Sequence, residues 1–111
     1  MIPIDHYIAL SAALFVLGGV GFLVRRNVLV TLMSIEAMLN AANLALVAFN
    51  RAHVASRPGA LYPGPSHTGQ VFAFFIIAAE AAEVAVGLAI VLALYRLRRT
   101  VRSDEADLLK N

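Results

Sequence analysis

The sequence contains no cysteine, so a disulfide framework, a thiolate metal site and a cysteine nucleophile are all excluded. Charge is scarce too. Asp, Glu, Lys and Arg make up 14% of the 111 residues, where a soluble domain carries about 25%. The formal net charge of +2 is too small to argue for nucleic acid as a partner. The three histidines, His6, His53 and His67, lie outside the apolar stretches and are too scattered to suggest a metal centre. No basic segment precedes the first apolar stretch, where the chain reads Met-Ile-Pro-Ile-Asp-His. A cleaved signal peptide is therefore not expected, and that stretch is read as a retained helix.

What the chain has in excess is apolar surface. Hydrophobic residues make up 60% of it and the mean hydropathy is +0.78, which points to lipid as the solvent. Its length allows one domain at most. Three apolar runs stand out, at 7–24, 28–49 and 71–95. The first contains no charge, the second one (Glu36) and the third two (Glu80 and Glu83). Each is near the roughly 20 residues that a helix needs to cross the hydrocarbon core. The strict alternation of a membrane β-barrel strand is missing. The expected fold class is an all-α membrane protein with three transmembrane helices in a single membrane domain.

Arg25-Arg26-Asn27 is a very short polar turn, so the first two helices are expected to be antiparallel neighbours. The segment 50–70 holds Pro58, Gly59, Pro63, Gly64 and Pro65, which mark an irregular outer loop. The polar tail, 96–111, reads as a frayed helix end. Seven basic residues (Arg25, Arg26, Arg96, Arg98, Arg99, Arg102 and Lys110) fall on one side of the expected membrane, and Arg51 and Arg57 on the other. By the positive-inside rule the N-terminus lies outside and the C-terminus in the cytoplasm.

Carboxylates within the apolar runs are the informative feature. An acid at a membrane helix centre costs about 2.5–3.5 kcal/mol on insertion scales, so it is retained where it faces protein or water and handles ions or protons. Removal from water disfavours the charged form, which lets a carboxyl both hold and release a proton near neutral pH. At 1.5 Å per residue, Glu36 lies about 12 Å and Glu83 about 18 Å from the cytoplasmic ends of their helices, so their depths should differ by about 6 Å. Glu80, three residues before Glu83, shares part of its face, and two acids that close do not ionise together easily. The plainer reading is that a lone Glu is polar glue between helices. Three acids on two of three helices weigh against it.

Asn40 and Asn43 follow Glu36 at i+4 and i+7 and are expected on the same stripe, holding water or bonding the Glu side chain, or simply serving as packing glue. Gly18, Gly19, Gly21 and Gly87 lie in apolar helices and suggest close helix packing, not a nucleotide loop. Arg25 and Arg26 fit the charge rule, with a partner-subunit contact as a more specific role. Asp5 is placed to cap the first helix.

These residues resemble a known family. Ala-Leu-Phe-Val-Leu-Gly at 13–18, Arg-Arg-Asn at 25–27, Ser-Ile-Glu-Ala-Met-Leu-Asn-Ala-Ala-Asn-Leu at 34–44, Gly-Gln at 69–70 and Ala-Ala-Glu-Val-Ala-Val-Gly-Leu-Ala-Ile at 81–90 are similar to subunit K of the proton-pumping NADH-quinone oxidoreductase, respiratory complex I. That subunit is the counterpart of mitochondrial subunit 4L. The closing Asp-Leu-Leu-Lys looks like the family's tail. The resemblance implies that Glu36 and Glu83 are the family's two intramembrane glutamates, in a chain of polar groups linking quinone-side subunits to antiporter-like pumping subunits. The family's third helix typically reads Ala-Ala-Ala-Glu, so Glu80 is an additional acid here. The stretch from Val54 to Thr68 looks like a lengthened loop.

On this reading FMN, iron–sulfur clusters and quinone belong to other subunits, and this chain has no catalytic centre, cofactor or metal of its own. Its partners are the other membrane-arm subunits and the lipid bilayer, and a bacterial inner (plasma) membrane is the expected location. Two alternatives stay open, the small subunit of a multisubunit sodium/proton antiporter and a purely structural membrane subunit. Small exporters and two-helix rotor subunits fit the helix count poorly.

Overall fold

The computed structural model describes residues 2–56, 67–99 and 101–105. Three helices account for nearly all of them: α1 (Ile4–Val24), α2 (Val28–Ala55) and α3 (Thr68–Arg98). All three are long and apolar enough to cross a membrane. All three exceed the apolar runs that mark them: α1 opens at Ile4, and α3 runs on to Arg98. Residues 50–55 continue α2 and Thr68–Gln70 open α3, so both ends of the expected loop are helical. The remainder of that loop, 57–66, with Arg57 and all its prolines, lies outside the described residues, as does the closing segment 106–111 with Lys110.

Local chemistry sets the helix ends. Pro3, with φ −61° and ψ 149°, is the extended residue before α1. Asp5 is not a cap. It lies in the first turn, where its charge complements the helix dipole. Asn27 caps α2, its Oδ1 accepting from the Leu29 N–H at 2.9 Å. α3 stops where Arg99 turns left-handed (φ 56°) and its N–H closes on the Tyr95 carbonyl at 2.8 Å.

The described part of the tail is not frayed: Arg96–Arg98 continue α3, and residues 101–105 lie over the α1–α2 turn. Val28 N–H donates to the Val101 carbonyl at 2.8 Å, and Ser103 donates to the Arg26 carbonyl through both N–H (2.8 Å) and Oγ (3.1 Å). Asp104 stands 3.0 Å from Arg102 and 3.5 Å from Arg26. A helix leaves its first N–H groups without intrahelical partners, and the tail supplies one for Val28. The N-terminus of α2 is thus capped by Asn27 at the Leu29 N–H and by distant Val101 at the Val28 N–H.

α2 lies in the middle and packs on both neighbours. Against α1, Ser11 Oγ donates to the Ala41 carbonyl. A side chain at Gly18 would meet Met38 Cγ and the Ser34 carbonyl, and one at Gly21 would meet Ser34 Oγ. Gly19, expected with them, has nothing within 4 Å of its would-be Cβ and takes no part in this seam. Against α3, Gly69 receives Asn50 and Gly87 receives Leu32. Four residues of α3 are buried, Ala73, Glu80, Gly87 and Val91. The first three are seven residues apart and the last follows four later, the 7- and 4-residue steps that keep one stripe of a helix on its partner. Most large apolar side chains point away from the chain, among them Leu23, Met33 and Phe74, leaving broad faces for lipid or neighbouring subunits.

Candidate functional site

The seam between α2 and α3 positions the three acids. Gly87 abuts Leu32 and Gly69 abuts Asn50, which fixes the antiparallel register at two points. Glu83 is four residues before Gly87, and Glu36 four residues after Leu32, so the two acids stand at the same level. Along the seam this register brings them closer than the offset of about 6 Å expected from the apolar runs, because α3 runs on past its apolar stretch to Arg98. Glu80, seven residues before Gly87, comes level with Leu39, one turn beyond Glu36.

The acids differ in exposure in a way their spacing does not reveal. Glu80 is the buried one, 5% exposed. Glu36 is half-buried and Glu83 exposed on the outside of the seam. All three nevertheless line one cavity of about 30 Å³, walled otherwise by Leu32, Ile35, Leu39 and Val84. One water needs about 10–15 Å³ of such space, so the cavity suits one or two. Among the described residues no basic side chain reaches any of the three acids, and no three acidic or histidine groups stand together as a metal site.

Glu36 also opens sideways. With Leu29, Met33, Ala37, Asn40 and Leu88 it lines a groove of about 560 Å³. A second groove of about 440 Å³ shares Asn40 and continues past Asn43 to Gln70. The two asparagines part company. Asn40 is exposed and its Nδ2 donates to the Glu36 backbone carbonyl at 3.0 Å, not to the Glu side chain. Asn43 is buried, 7% exposed, on the stripe that also carries Glu36 and Asn50 at seven-residue intervals. Arg25 and Arg26 are on the α1–α2 turn away from this cavity. Arg26 is engaged by the tail and Arg25 is exposed.

Sequence reasoning missed the inward role of Glu80, although a signal existed in the spacing of Ala73, Glu80 and Gly87. It also missed the tail's hold on the turn. That hold pairs two backbone bonds with contacts from Ser103 Oγ and Asp104, residue types too common on a polar tail to signal it.

Known proteins match this chain over nearly its whole length. The profile of the NADH-ubiquinone/plastoquinone oxidoreductase chain 4L family matches residues 6–111. NADH-quinone oxidoreductase subunit K of Sorangium cellulosum (strain So ce56) is 57% identical over 110 residues, 99% of this chain and 97% of that one. The subunit K of Akkermansia muciniphila is 45% identical over 111 residues, the full length of both. NADH-quinone oxidoreductase subunit K 2 of Solibacter usitatus (strain Ellin6076) is 50% identical over 105 residues, 95% of this chain and 92% of that one. The chain therefore belongs to the NADH-ubiquinone/plastoquinone oxidoreductase chain 4L family, that of subunit K of complex I.

Proposed function

We propose that this chain works in the membrane arm of a proton-translocating NADH-quinone oxidoreductase, passing protons between Glu36 and Glu83, with Glu80 beside them. The observation that carries the proposal is the convergence of three carboxyl groups from two helices on one water-sized cavity. Acids placed in an apolar seam without a basic partner are expensive, and packing alone does not require three of them. Proton exchange accounts for them, because each group can accept and release a proton within reach of the next. Glu36, open to the groove, is where a neighbouring subunit or its water meets the relay. Glu83, exposed on the far helix, is the opposite terminal.

In this proposal the redox reaction, with FMN, iron–sulfur clusters and quinone, takes place in other subunits. The chain is embedded in a bacterial inner membrane, with the Arg25–Asn27 turn and the tail on the cytoplasmic side. Six arginines, Arg25, Arg26, Arg96, Arg98, Arg99 and Arg102, cluster at that end of the helices and support this orientation. The test is Glu36→Gln and Glu83→Gln in the assembled complex, with proton uptake and NADH oxidation followed together in membrane vesicles. The expected result is normal assembly with fewer protons moved per NADH. Normal pumping by both variants overturns the relay.

A further inference from the structure

Two buried oxygens on the α2–α3 seam have no hydrogen-bond partner, Glu80 Oε1 and Asn43 Oδ1. Buried polar atoms are rarely left so, and each one calls for a physical account. These two lie on facing helices. Glu80 comes level with Leu39, four residues before Asn43 on α2, or about 6 Å along the axis at 1.5 Å per residue. Side chains on a helix lean toward its N-terminus. Because α2 and α3 are antiparallel, Glu80 and Asn43 each lean toward the level of the other. Both atoms are acceptors, and two acceptors attract each other only when a hydrogen stands between them. The carboxyl of Glu80 carries such a hydrogen when it is neutral.

We propose that Glu80 is a protonation site in its own right, whose neutral carboxyl donates to Asn43 Oδ1 across the α2–α3 seam and releases the contact when its proton passes into the cavity shared with Glu36 and Glu83. The step is a proton transfer alone. The Glu80 O–H bond breaks, a carboxylate oxygen of Glu36 or Glu83, or a water between them, takes the proton, and one negative charge moves the other way. The titratable groups facing Glu80 are Glu36 on α2 and Glu83 on its own helix, the three acids that line the cavity. α1 packs on the other face of α2, at Ser34 and Ala41. The consequence is mechanical as well as chemical. α2 and α3 are held more firmly while the relay is loaded with a proton and less firmly once it has discharged.

This inference deepens the relay, but its test does not depend on pumping. Infrared difference spectra of the assembled complex, taken between acid and alkaline buffer, report protonated carboxyl groups directly. The expected result is a carboxylic-acid carbonyl band that is lost completely in Glu80→Gln and moves to higher frequency in Asn43→Leu, where the acceptor is gone. Glu80→Gln is nearly isosteric and its amide can still donate to Asn43, so assembly is retained. Asn43→Ser, which shortens the acceptor, gives the same shift should the leucine variant not assemble. A band that persists in Glu80→Gln, or that stays in place in the Asn43 variants, overturns the proposal. Normal pumping by Glu36→Gln and Glu83→Gln with these band changes intact overturns the relay and leaves the Glu80–Asn43 contact standing.

Discussion

Replacing Gly18 by Ala tests how closely α1 rides on α2. A Cβ at Gly18 would fall 2.7 Å from Met38 Cγ, 2.8 Å from the Ser34 carbonyl oxygen and 3.2 Å from the Met38 nitrogen. Carbon contacts are comfortable at about 3.5–4.0 Å, and two of these three neighbours are backbone atoms that cannot swing aside. The helices must separate by close to an ångström, an overpacking that costs about 1–3 kcal/mol. Gly→Ala in a helix interior also gains about 0.5–1 kcal/mol from backbone entropy. That gain is common to Gly19→Ala, where a Cβ meets nothing within 4 Å. The difference between the two variants therefore isolates packing, and about 1–3 kcal/mol corresponds to roughly 5- to 150-fold in an equilibrium. Gly21→Ala, whose clash at 2.6 Å is with the rotatable Ser34 hydroxyl, should fall between them. The assay is the fraction of the chain recovered in assembled complex on native gels, with the midpoint of heat inactivation. The expected order of damage is Gly18→Ala, then Gly21→Ala, then Gly19→Ala. Gly18→Ala assembling as well as the unaltered chain refutes the packing argument.

Three further outcomes follow from single contacts. Asn27→Ala removes the side-chain acceptor for the Leu29 N–H and should lower the heat-inactivation midpoint by an amount equivalent to about 1 kcal/mol. Ser103→Pro, which deletes the N–H donor to Arg26, should loosen the tail by about 0.5–1.5 kcal/mol and speed its proteolytic clipping, while Asp104→Asn should change clipping little because exposed ion pairs contribute about 0–1 kcal/mol. Gly87→Ala meets only the movable tips of Leu32, nearest 2.8 Å, and should assemble, whereas Gly87→Leu should block assembly by wedging α3 off α2.

Much of this architecture is legible in the residues, and the parts that are not have physical causes. The three helices follow from apolar runs interrupted by Arg25-Arg26-Asn27 and by the proline-rich stretch, since lipid leaves a spanning chain no other way to satisfy its backbone. Helix length was harder to read. Asn50-Arg51-Ala52-His53 is polar, and polar residues end a hydrophobic stretch without ending a helix. There α2 continues, with Arg51 stacked over the Tyr7 ring at 5.6 Å from its centroid and Asn50 Oδ1 accepting from the Gly69 N–H. The acids themselves are plain in the sequence, but their division of labour is not. Glu80 and Glu83 are three residues apart, and only the seven-residue rhythm of Ala73, Glu80 and Gly87 turns the first inward and leaves the second outside. Asn40 and Asn43 divide in the same way. Spacing from Glu36 places both on one broad face, whereas the seam with α3 is narrow enough to bury only Asn43.

The measurement that bears most directly on proton relay is the position of water around Glu36, Glu80 and Glu83 in a high-resolution structure of the whole membrane arm. The relay requires at least one ordered water in the cavity between α2 and α3, bonded to two of the three acids, and a polar side chain or water of a neighbouring subunit in the groove beside Glu36. A cavity sealed dry, with apolar side chains from the neighbours closing over Glu36 and Glu83, contradicts it.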